Sequence, residues 1–161
     1  MKTLRIILAG LASLSIDAAA AQETTPQALA VDGSCDRLVI AGEDLSAECG
    51  TALVQILEGG VVDVFVGTGG QGLFGLAEPE RMVIFRGQSA EAGRAWIDHA
   101  VQFVLLGTRA SDTVDTIEVS GTCSYKNPAD GPALISCDAT DKSGREYSLS
   151  YRTDGLPPLA F

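Results

Sequence analysis

The sequence predicts an all-β protein: one antiparallel β-barrel, or a barrel-like sheet, of about seven to nine strands. Three observations point to it. From Cys35 onward apolar residues alternate with polar ones, the two-residue period of a half-buried strand. Eighteen glycines and many β-branched residues disfavour helices. The four cysteines fall into two pairs, Cys35/Cys49 and Cys123/Cys137, each with thirteen residues between its members. That interval suits a hairpin with a short loop. A two-sheet β-sandwich is the alternative arrangement of the same strands.

The first element is a leader. Lys2 and Arg5 precede an apolar stretch from Ile6 to about Ile16, and a run of alanines follows. That order reads as a secretory signal peptide over residues 1–21. The stretch is too short to span a bilayer as a helix. Ala19 and Ala21 satisfy the small-x-small rule, so cleavage is expected before Gln22. Removal takes away Lys2, Arg5 and Asp17, which moves the formal charge from −10 to −11. Residues 22–32 are polar and small and read as a flexible N-terminal arm. Residues 33–161 then form a single β domain, and a mature chain of about 140 residues has a core of its own.

Within that domain the strand-like runs are Leu38–Ile40, Leu45–Ala47, Leu53–Leu57, Val61–Val66, Met82–Phe85 and Leu134–Ala139. In "AWIDHAVQFVLL", Ile97, His99, Val101, Phe103 and Leu105 share one side. In "DTIEVSGTCSY", Ile117, Val119, Gly121, Cys123 and Tyr125 do so, and Tyr147, Leu149 and Tyr151 do in "REYSLSYR". Gly and Pro clusters separate the runs. Ser89–Trp96 offers one short helix, weakened by Gly93.

An exported chain with an even number of cysteines points to disulfides. Metal-binding cysteines would sit two to four residues apart or near histidines. If Cys123 faces Cys137, then Tyr125 faces Ile135, Asn127 faces Ala133 and Gly121 faces Ala139. Each of these lies on the apolar face already given by alternation. The loop Pro128–Pro132 has Pro early and Gly late, as a tight turn prefers. Centring the first pair on Gly42 sets Val39 against Leu45 and Arg37 against Ala47, with Arg37 interrupting the face. Four cysteines allow three connectivities, and the sequence alone does not fix one. The local pairing is the one that agrees with register.

"GTCSYKNPADGPALISC", Gly121–Cys137, resembles a segment of small exported bacterial proteins of uncharacterised function. Those proteins are similar also in a cysteine-bounded opening hairpin like Cys35–Cys49 and a closing segment like Thr153–Pro158. The resemblance implies a secreted, disulfide-bearing β domain and brings no activity with it.

The excess of Asp and Glu opposes binding to nucleic acid and to anionic lipid, and otherwise serves solubility. "GTGGQG", Gly67–Gly72, fits G-x-G-x-x-G, but no helix signal follows to hold a pyrophosphate. It reads as a mobile loop that presents Leu73 and Phe74. His99 is the only histidine, and its neighbour Asp98 points to the opposite strand face. No nucleophile elbow, carboxylate pair or calcium loop stands out. Pro157 and Pro158 oppose a terminal membrane strand. The sequence thus predicts a periplasmic or secreted, non-enzymatic β domain without cofactor or metal. It is expected to bind a small apolar ligand, with Leu73, Phe74, Trp96, Phe103 and Tyr151 as contacts. The alternative is a protein-binding module, such as an inhibitor of a secreted enzyme or an envelope partner.

Overall fold

The computed structural model describes residues 27–69, 79–89 and 98–160. The predicted leader, Leu73, Phe74, Trp96 and most of the Ser89–Trp96 helix lie outside the described residues. Eleven strands are present: β1 Gln27–Val31, β2 Gly33–Ile40, β3 Glu43–Asp44, β4 Cys49–Ile56, β5 Val61–Thr68, β6 Arg81–Ser89, β7 Asp98–Thr108, β8 Val114–Tyr125, β9 Leu134–Asp141, β10 Glu146–Thr153 and β11 Leu159–Ala160. They belong to one antiparallel sheet in the order β11-β1-β4-β5-β6-β7-β8-β9-β10-β2-β3.

Only Asp32 separates β1 from β2, so the two are halves of one bent span. The first half pairs with β4 and β11, the second with β10 and β3. The ladders therefore return to the span where they began. Eight spans make the circuit: β1 with β2, β3 with β4, then β5, β6, β7, β8, β9, and β10 with β11. This is a barrel-like, up-and-down sheet and not a pair of stacked sheets. Such a circuit leaves no long open edge.

The β8–β9 hairpin has the register that the cysteine spacing predicts. Cys123 pairs with Cys137, Tyr125 with Ile135 and Gly121 with Ala139. Both disulfides are formed, Cys35–Cys49 and Cys123–Cys137. The first hairpin differs in centre: Val39 pairs with Asp44 and Ile40 with Glu43. Its turn is Ala41-Gly42, both with positive φ (54° and 88°), the conformation of a two-residue hairpin turn. The expected strand at Leu45–Ala47 is replaced by a 3₁₀ turn at Ser46–Glu48. There the Ser46 hydroxyl accepts the Leu38 N–H at 2.9 Å, and backbone that would have continued the ladder is occupied locally.

Two further expectations are corrected. Residues 27–31, read as part of a flexible arm, are strand β1, with Leu29, Ala30 and Val31 buried. Their backbone groups pair on both sides, so tertiary hydrogen bonding outweighs a weak local signal. In β7 the alternation changes parity at Gln102, which is skipped in both neighbouring ladders. His99 and Val101 point inward below this bulge, and Val104 does so above it. Phe103 and Leu105 are thereby turned to the outer wall.

One hydrophobic cluster fills the described interior and draws on β1, β2 and β4 to β10. Tyr147, Tyr151, Phe85, Leu38, Ile135 and Leu149 are each less than 2% exposed. Burying a large apolar side chain contributes roughly 1.5–3 kcal/mol. Where neighbouring backbones come close, glycine is required: a Cβ on Gly87 would lie 1.9 Å from the Ala100 carbonyl oxygen, and one on Gly121 2.1 Å from that of Asp138. The outer wall is two-sided. Phe65, Ile84 and Leu105 form an apolar row across β5, β6 and β7. Thr122, Ser124, Ser136, Ser148 and Ser150 make the outer face of β8, β9 and β10 polar.

Candidate binding groove

The end of the β8–β9 hairpin carries an open groove of about 480 Å³. Ser124 and Lys126 line it from the end of β8, Leu134 and Ser136 from β9, and Arg152 from β10; Pro132 and Ala133 form its loop side, and Tyr125 its inner wall. The groove exists because the β9–β10 ladder continues past the strands. The Ala133 N–H donates to the Thr153 hydroxyl at 2.8 Å, and the Thr153 N–H donates to the Ala133 carbonyl at 2.9 Å. Gly155 lies against the Pro132 ring, where even a methyl group would collide. The loop is thus pinned to the wall.

Register places the groove's side chains in rows. Ser124 faces Ser136, and Ser136 faces Ser150. Arg152 faces Leu134, and the next residue after the Tyr125–Ile135 pair on the β8 side is Lys126. Leu134 and Arg152 are therefore neighbours on β9 and β10, and Lys126, the first residue past β8, lies on the other side of Leu134. Leu134 is 44% exposed. Arg152 makes one ion pair, Nη2 to Asp36 Oδ2 at 2.8 Å, with both side chains well exposed. Asp98 pairs with Ser124 at the outer margin of the groove and does not line it.

Tyr125 links the groove to the interior. Its hydroxyl lies 3.4 Å from His99 Nδ1, and the two rings meet edge-on with centroids 5.8 Å apart. His99 is 2% exposed, and its Nε2 has no hydrogen-bond partner among the described residues. Burial pushes the imidazole pKa down to about 4, against the pull of the Asp63 and Asp98 carboxylates, so His99 is neutral at pH 7. Burial also raises the Tyr125 phenol well above its usual value. Ser89 lies opposite His99 in the β6–β7 ladder. At this depth His99 is packed against Tyr125.

Of the residues the sequence offers as ligand contacts, two are placed. Tyr151 is in the core, 1% exposed, and its hydroxyl donates to the Val31 carbonyl at 3.3 Å. Burial pushes its pKa up to about 12. Phe103 is on the outer wall between Arg86 and Glu118, on the far side of the wall from Tyr151. The structure does not bring these two together. Gly67 and Thr68, the start of the glycine-rich motif, belong to β5, and the remainder of that motif from 70 on lies outside the described residues. The groove itself is not visible in the sequence. Its one signal is the register already read from Cys123 and Cys137, which extrapolates to Lys126 opposite Leu134.

Among the described residues no three His, Cys, Asp or Glu side chains gather where they could hold a metal ion, and no helix is long and apolar enough to cross a membrane. Among the described residues the inward face is mostly apolar. Comparison of the chain with protein-family models, with curated proteins and with solved structures found no match.

Proposed function

We propose that this is an exported, non-catalytic binding domain that engages a protein partner through its outer wall. The observation that supports it is the contrast between inside and outside. The described interior is lined by one continuous cluster of buried apolar side chains, while the outer wall carries an open groove of about 480 Å³. An eight-strand circuit has an interior just wide enough for its side chains or for one small ligand. Here three buried tyrosines, Tyr125, Tyr147 and Tyr151, project into that interior. The two disulfides suit an oxidising compartment, periplasmic or extracellular, where such a domain would meet its partner.

Two measurements test this together. Purified oxidised protein is titrated with a fluorescent long-chain fatty acid; no stoichiometric uptake is expected. A photoreactive residue is placed at Leu134, Thr122 or Val114 in producing cells. Cross-linking should yield one envelope or secreted protein, identified by mass, that also co-elutes with the purified domain. One-to-one fatty-acid uptake without any such complex would overturn the proposal.

A further inference from the structure

We infer that the groove at the end of the β8–β9 hairpin takes an acidic, extended segment of a partner protein, with an apolar residue between two carboxylates at alternate positions, so that all three side chains share one face. This rests on the reading of the domain as a protein-binding module. Lys126, Leu134 and Arg152 supply the complement: cation, apolar side chain, cation. Neighbouring strands are about 4.8 Å apart, so both cations are within side-chain reach of Leu134.

Charge singles out this place. The chain has 21 acidic and 11 Lys or Arg residues, yet among the described residues the charged side chains lining the groove are both cations, Lys126 and Arg152. Arg37, Arg81, Arg86, Lys142 and Arg145 are committed to carboxylates elsewhere on the wall. Lys126 forms no ion pair among the described residues. Arg152 uses a single Nη2 contact to the exposed Asp36, which leaves the rest of its donor fork open. An exposed pair of this kind holds weakly against water, so a partner carboxylate can share or replace it. Leu134 is one of few large apolar side chains left exposed among the described residues. Ser124 and Ser136, paired beside these residues, offer hydroxyls to the segment's backbone.

The probe is the capped pentapeptide Glu-Gly-Leu-Gly-Glu, whose two carboxylates and leucine share one face when extended, added to the full mature protein and followed through its backbone amide resonances. Saturable shifts are expected at 124–126, 134–136 and 152. Lys126→Glu should weaken binding at least tenfold, and Arg152→Glu should do the same. Both positions are exposed, and an unchanged amide spectrum elsewhere shows that the variants fold. Equal shifts with the neutral peptide Gln-Gly-Leu-Gly-Gln would overturn the inference, because charge would then play no part. So would matching shifts from inorganic phosphate that the peptide does not exceed, which indicate a small-anion site only. Absence of any shift with the Glu peptide overturns it as well. If the peptide fails while Leu134 still cross-links to a partner, the binding-module reading stands and only the proposed occupant falls.

Discussion

The two cysteine pairs share one spacing and do different work. Cys123 and Cys137 are direct register partners in a continuous hairpin, with Cα atoms 4.0 Å apart and both residues fully buried. The ladder from Val119–Asp141 to Tyr125–Ile135 holds that hairpin whether or not the bond is present. Cys35 and Cys49 are 5.9 Å apart at Cα and half-buried. They lie between two stretches of the first hairpin, Ile40–Glu43 near the turn and Val31–Ala52 beyond it, where the strands have separated. In that opening β2 gives its hydrogen bonds to β10 and so closes the circuit, with Asp36 skipped in the ladder between Ser150–Arg37 and Tyr151–Cys35. The disulfide spans a gap that the backbone ladder leaves. Equal intervals in sequence thus mark a reinforced hairpin in one case and a seam in the other.

The largest effect should come from removing each bond in turn. The lost chain constraint is the same for both, about 3 kcal/mol for a loop of this length. Cys123→Ala with Cys137→Ala also leaves a hole in the core, adding about 1–2 kcal/mol. Urea unfolding should therefore rank this pair as the more costly, with the β fold retained. Cys35→Ala with Cys49→Ala should cost less globally but raise amide exchange selectively at 33–36 and 49–51. Equal cost and equal exchange patterns would erase the distinction between seam and hairpin.

A second difference is titratable. His99 is the register partner of Cys123, so the buried histidine belongs to the second pair's side of the barrel. Its folded pKa is about 4, against an ordinary value of 6.5. An unfolded chain takes up this proton below about pH 6.5, while the folded chain does so only below about 4. Stability is therefore complete above 6.5, falls between 6.5 and 4, and levels below that, by up to about 3 kcal/mol. Denaturation at a series of pH values checks this. In His99→Gln the slope across that window should vanish, and a slope that persists would assign it to other groups. The depressed carboxylates, such as Asp141 held by the Arg145 and Ser143 backbone N–H groups, lose their contribution at lower pH, below the ordinary carboxylate range.

The smallest effect sharpens the seam. Tyr151 donates its hydroxyl to the Val31 carbonyl, one of the few side-chain links between β10 and β1. Tyr151→Phe should cost about 1 kcal/mol in urea unfolding. Combined with Cys35→Ala and Cys49→Ala it should cost more than the sum of the parts, since both act on the same closure. Strict additivity would mean that the two contacts are independent.

Alternation and cysteine spacing in the sequence determined the all-β class, the strand-rich domain from Cys35 on and the register of β8 with β9. These are local properties: period two fixes a face, and at Cys123–Cys137 that face, carried through a loop with Pro early and Gly late, agrees with one hairpin register. Tertiary structure decided the rest, for reasons that no short window contains. β1 is a strand because β4 and β11 accept its backbone. Phe103 left the interior because a bulge at Gln102 reversed parity halfway along β7. The first hairpin opened because β2 found a second partner in β10, about 110 residues away along the chain. The groove depends on the same long-range pairing, since Arg152 meets Leu134 and Lys126 only when β10 lies beside β9 and the loop at Pro132 is pinned against Thr153 and Gly155.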